Sequence, residues 1–148
     1  MSTTFIRRED VVRQWHLLDA DGQRLGRLAS RIARLLMGKD KPSFSPFVDT
    51  GDHVVIINAA KVAVTGKKET DKVYHHHTGY LGGLKSARVE EVRKKHPVRL
   101  VEQAVKGMLP KSRLGRAQFR KMKVYVGSDH PHQAQQPKRL ELASARLS

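Results

Sequence analysis

Arg24, Arg27, Arg31 and Arg34 recur at intervals of three and four residues, the spacing that lines side chains along one face of an α-helix. Arginine presents a planar fork that grips phosphate oxygens in pairs. No acid stands between Asp21 and Asp40 to neutralise these four nearby in sequence. A second basic stretch is stronger: between Glu102 and Asp129 there is no acid at all, while Lys106, Lys111, Arg113, Arg116, Arg120, Lys121 and Lys123 all fall there. Arg113, Arg116 and Arg120 again share a helical face. An ordinary solvated face mixes both signs, so two single-sign rails point to a polyanion. The candidate phosphate-contacting set is completed by Lys39, Lys41, Lys67, Lys68, His76 and His77.

Other chemistries fail on spacing. His75, His76 and His77 are consecutive in an extended segment, so they point to alternating faces and cannot converge on one ion; at most His75 and His77 could pair. Beside RNA, such histidines could donate to phosphate or 2′-hydroxyl groups or stack on a base. Asp19-Ala20-Asp21-Gly22 resembles the start of a calcium loop, but its glycine comes too early and Ser30 stands where a bidentate Glu is required. Thr65-Gly66-Lys67-Lys68 lacks the first glycine of a phosphate loop, and Gly79, Gly82 and Gly83 are not in dinucleotide-binding order. No nucleophile elbow or paired-carboxylate arrangement is present, and Asp49 with Asp52 reads as turn chemistry. With no cysteine, thiolate catalysis, disulfides and zinc ribbons are excluded together. No metal, cofactor or small-molecule substrate is expected. The aromatic residues, 5% of the chain, are too scattered to suggest stacking of successive unpaired bases, which leaves recognition of backbone and shape.

The elements that must position these groups follow from periodicity. Trp15 to Asp19 is a short apolar strand ending at the Asp21-Gly22 turn; Leu28, Ile32, Leu35 and Leu36 then keep helical spacing until Gly38. Val54 to Ile57 is an unbroken β-branched run, as expected of a central parallel strand with helices on each side of the sheet. Lys61 to Thr65 and Lys72 to His76 read as two further strands, Val89 and Val92 as the start of a short helix, and Pro97 as the opening of another. A last helix around Arg113 to Lys121 precedes a strand from Lys123 to Val126. The sum is an α/β fold: one domain spanning 1–148, with loosely ordered ends at about 1–12 and 128–148.

Composition agrees. The 148 residues carry 29 Lys and Arg against 14 Asp and Glu, a formal net charge of +15. Residues 1–60 hold nine basic and seven acidic residues and 61–148 hold twenty and seven, so the carboxyl-terminal part carries +13 of that charge. Such a surplus repels itself unless a polyanion relieves it. No window of about 18 apolar residues marks a membrane span and no signal-peptide stretch opens the chain, so a cytoplasmic location is expected. A nucleic-acid-modifying enzyme lacks a visible reactive centre. A DNA-compacting protein fits the charge alone and would bind duplex DNA at least as well as folded RNA.

Longer patterns narrow the choice. Val105-Lys106-Gly107-Met108-Leu109-Pro110, Leu114-Gly115-Arg116 and Lys123-Val124-Tyr125-Val126-Gly127 resemble the bacterial-type large-subunit ribosomal protein L-thirteen family. Segments 15–34, 48–66 and 71–83, and Gln135-Gln136-Pro137, are similar to it in the same order, so the resemblance covers nearly the whole chain. It implies a three-layer α/β/α domain around a small, mostly parallel four-stranded sheet, bound to large-subunit ribosomal RNA beside neighbouring large-subunit proteins. It further implies a role early in subunit assembly, with no catalysis. Departures are local: Ala60 stands where an acid is expected, His75 where a second tyrosine is common, and the residues after Leu142 resemble an added tail.

Overall fold

A computed structural model describes residues 5–141. Strand β1 (Trp15–Asp19) leads through a turn into helix α1 (Leu25–Met37), and the chain returns as β2 (His53–Ile57), parallel to β1 in the register Leu17 with Val55. A short helix α2 (Lys68–Asp71) precedes an antiparallel hairpin, β3 (Val73–His77) and β4 (Leu84–Arg88), which forms a sheet of its own. Helices α3 (Val89–Lys95), α4 (Pro97–Met108) and α5 (Arg113–Arg120) follow, then the short strands β5 (Met122–Val124) and β6 (Lys138–Arg139). The main sheet runs β5-β2-β1-β6, all parallel. The α/β architecture around four parallel strands is the expected one.

Alternation along the strands decides what each face meets. Leu18, Val54 and Ile56 point to one face and pack with Leu28, Ile32 and Leu36 of α1 and Val101 and Val105 of α4, all nearly or fully buried. On the other face Trp15 stacks on His53 at 4.3 Å, and His132, from the connection between β5 and β6, packs against Trp15 at 5.2 Å. Burial, with Lys121 and Arg13 adding to it, pushes the His53 pKa below its ordinary value, which favours the neutral ring in this stack.

Three expectations need correction, and one strand went unread in the sequence. Lys61 to Thr65 is not a strand: Ala59–Lys61 is a 3₁₀ turn, and only Ala63 bridges to Arg24 while Val62 is buried. Leu84 to Arg88 is a strand, unmarked in sequence because its mostly exposed residues show no apolar alternation. The last parallel strand begins at Met122 and ends at Val124, earlier than expected. The stretch after 128 is not left free of the sheet, since Lys138 and Arg139 pair with His16 and Leu17. The tail after Leu142 lies outside the described residues.

Candidate nucleic-acid interface

Helix α1 displays its arginines as its periodicity requires. Arg27, Arg31 and Arg34 are exposed opposite the buried Leu28, Ile32 and Leu36, and Arg24 stands half-buried just before the first turn. The expectation that this stripe lacks an internal partner is corrected at one end: Gly38 adopts a left-handed conformation at the helix end, and Asp40 folds back onto Arg34 at 2.8 Å and Arg31 at 3.2 Å. Arg24 and Arg27 form no ion pair among the described residues, and Lys39 is exposed just past the turn.

Two candidates are withdrawn from the surface. Lys121 is 7% exposed, its ammonium bonded to Asp49 at 2.5 Å and donating to the Leu36 carbonyl at 3.0 Å. It serves the buried carbonyl end of α1, where the last turn of any helix lacks intrahelical donors. The other three carbonyls of that turn are also met: Arg34 and Leu35 by the Gly38 amide, Leu35 again by the Asp52 amide, and Met37 by the Thr50 hydroxyl. A cation there also suits the helix dipole. Burial lowers the Lys121 pKa although Asp49 pulls it back up.

Lys41 is likewise spent inside the fold. It reaches Asp52 at 2.6 Å and donates to the carbonyls of Val12 and Thr50. Asp49 and Asp52 therefore do more than turn chemistry, each holding a lysine in a poorly hydrated place.

Asp52 also accepts from the Gln14 amide at 2.9 Å and bonds the His16 ring at 3.0 Å. Burial works against its charge, but Gln14, Lys41 and His16 outweigh burial and hold the carboxyl below its ordinary 3.8. The sign follows: a depressed carboxylate pKa contributes stability that is complete above the unfolded value and lost as pH falls through the folded one. Urea midpoints should therefore change little on account of this group between about pH 6 and 4.5 and fall below about pH 3.8. Asp52→Asn should make that acid limb shallower while lowering stability at neutral pH; an acid limb of unaltered steepness would remove Asp52 from it.

The remaining candidates are exposed. Lys67 and Lys68 stand at the start of α2, Lys123 on β5, and His76 and His77 on the hairpin, where the His77 ring also accepts from the Gly79 amide at 2.9 Å. The acid-free segment forms a constellation. Ser112 caps α5 by accepting from the Gly115 amide, and Gly115 lets the Pro110 carbonyl pass where a Cβ would sit 1.8 Å from it. That close approach brings Lys106, Lys111, Arg116 and Arg120 around a hollow of about 370 Å³ floored by Leu109, Pro110 and Phe119. Arg113 is exposed at the start of the same helix.

Sequence reasoning missed Lys85, Lys95, His96 and Arg99. With His75, His76 and Lys106 they line a larger groove between the hairpin and helices α3 to α5. The signal for Lys95, His96 and Arg99 was the basic run Arg93 to Arg99, but Arg93 is spent within the fold, gripping Glu69 at 2.7 and 3.0 Å and the carbonyls of Ala60 and Val62. Among the described residues no group of three or more His, Asp or Glu side chains is placed to hold a metal ion. No helix among them is long and apolar enough to cross a membrane.

Comparison with known proteins places this basic α/β chain. The profile of the family described as Ribosomal protein L13 matches residues 13–131. Proteins named large ribosomal subunit protein uL13 are similar over most of its length. That of Dichelobacter nodosus is 58% identical over 132 residues, 89% of this chain and 92% of that protein. Those of Francisella philomiragia and Xylella fastidiosa are each 58% identical, covering 93% and 96% of this chain and 96% and 100% of the respective relatives. The chain belongs to the ribosomal protein L13 family.

Proposed function

We propose that this chain, acting as a single domain, is a structural constituent of the large ribosomal subunit. It binds large-subunit ribosomal RNA through its basic helix faces and supports early subunit assembly. The observation that carries this reading is the convergence of Lys106, Lys111, Arg116 and Arg120 on one acid-free hollow, in a family whose relatives are named for the large subunit. Four cations so close together repel one another unless phosphates stand between them. Arg113, Lys123 and the exposed arginines of α1 extend the charged surface, with Lys39, Lys67, Lys68, His76 and His77 as further contacts. The protein acts by binding and not by catalysis, and needs no cofactor. Its other partners are neighbouring large-subunit proteins, and its location is the ribosome in the cytoplasm.

Sedimentation of a cell extract through sucrose gradients at moderate and high salt tests the reading. The protein should migrate in stoichiometric amount with the large subunit at moderate salt, and partial release at high salt would measure the electrostatic share of the attachment. Recovery only at the top of both gradients would refute the proposal.

A further inference from the structure

Among the described residues the β3–β4 hairpin pairs with no strand of the main sheet, and between it and helices α3 to α5 lies an open groove of about 640 Å³. That volume is in the range of clefts that seat small molecules. Its charge is mixed in an informative way. Lys85, Lys95, Arg99 and Lys106 line it, and none of the four forms an ion pair among the described residues. Glu91 and Glu102 line the same groove together with Gln103.

A track built for phosphates alone gains nothing from carboxylates turned toward it. Base edges do: a carboxylate accepts from exocyclic amino groups, and a glutamine amide both donates and accepts. The groove also contains Tyr74 from the hairpin and Phe119 from α5, two aromatics 45 positions apart that folding brings to one cleft. Aromatic faces seat unpaired bases, whereas a fully paired helix offers its bases only at their edges. Lys106 and Phe119 belong as well to the hollow around Lys111, Arg116 and Arg120, so the groove opens directly onto the basic surface of α5.

We propose that this groove seats unpaired RNA nucleotides. Bases lie against Tyr74 and Phe119 with their edges toward Glu102 and Gln103, while the phosphates pass Lys85, Lys95 and Arg99 and continue onto the cations of α5. This deepens the RNA-binding reading above and rests on it. An acidic peptide fits less well, because Glu91 and Glu102 repel it and it makes no use of the aromatic floor.

The test uses the full chain and fluorescence anisotropy with three labelled RNAs of equal phosphate number: a stem with a mixed-sequence unpaired loop, the same stem with an abasic loop, and a duplex. The intact loop should bind more tightly than the other two. Tyr74→Leu, shown by circular dichroism to remain folded, should weaken intact-loop binding at least about fivefold and leave abasic-loop binding unchanged. Tyr74→Phe should restore it, and Arg99→Ala should weaken both loops alike. Equal binding of all three RNAs by the unaltered protein, or a Tyr74→Leu loss shared by both loops, would overturn the groove assignment and leave general RNA binding standing. Binding of none would overturn the RNA-binding reading itself. A glutamate-rich peptide that displaces the intact loop and is itself weakened by Tyr74→Leu would assign the groove to a protein partner instead.

Discussion

Gly51→Ala should abolish the native fold. A Cβ at this position would lie 1.7 Å from the Leu36 carbonyl oxygen, 2.4 Å from its carbon and 2.7 Å from the Lys121 ammonium. None of the backbone atoms involved can yield cheaply. The carbonyl belongs to the last turn of α1, and residues 50 to 52 are fastened to that turn by the Thr50 hydroxyl and the Asp52 amide. Moving the segment far enough to admit a methyl group would separate those bonds and the Lys121 bond to Leu36 together. Such a cumulative loss falls in the exceptional class above about 4 kcal/mol, comparable with the whole stability of many domains. Far-UV circular dichroism and urea titration of the purified variant should show little or no cooperative transition. Gly107→Ala is the control, since inside α4 it adds a methyl that meets nothing within 4 Å beyond its chain neighbours and the backbone of its own helix and should be neutral or stabilising by up to about 1 kcal/mol. A Gly51→Ala protein with an ordinary urea transition would mean that the helix end and the 50–52 segment separate at little cost.

The same junction shows where sequence reading stops. The strand Trp15 to Asp19, the helix closed by Gly38 and the buried run at Val54 to Ile57 are legible because each carries its own periodicity and stop signal. The fates of Lys41 and Lys121 are not, because a lysine destined for a buried carboxylate looks like one destined for phosphate. Their partners lie 11 and 72 positions away, and only packing reveals them. Strand β6 is two residues long and joins the sheet through its backbone, so its side chains announce nothing. The candidate interface divides in the same manner. The cations of α5 were visible because acids are missing around them, but the groove beside the hairpin depends on residues from Tyr74 to Phe119 meeting across an unforeseen strand.

That contrast between free and internally paired cations sets the size of the functional effect. Replacing Arg113, Arg116 and Arg120 together by Ala should weaken binding to large-subunit RNA by about 100- to 500-fold near 0.1 M salt, if each neutralises one phosphate. The estimate follows from counterion release: each contact contributes about 0.7 to 0.9 to the log–log salt slope, so three flatten it by roughly 2 to 3 out of a total near −4 to −7 for six to eight phosphates. The fold should survive. All three side chains are exposed and form no ion pair among the described residues, α5 is anchored instead by Gly115, Gln118 and the Ser112 cap, and Ala is at least as good a helix former as Arg. Arg27→Ala with Arg31→Ala and Arg34→Ala is the instructive comparison. Asp40 already offsets part of the charge of Arg31 and Arg34, so this triple should flatten the slope less than the α5 triple. Filter binding or anisotropy across a salt series reads both. An unchanged slope in a folded α5 triple would move the phosphate contacts elsewhere, whereas a larger flattening from the α1 triple would mean that RNA displaces Asp40 and that the first helix, not the fifth, is the principal rail.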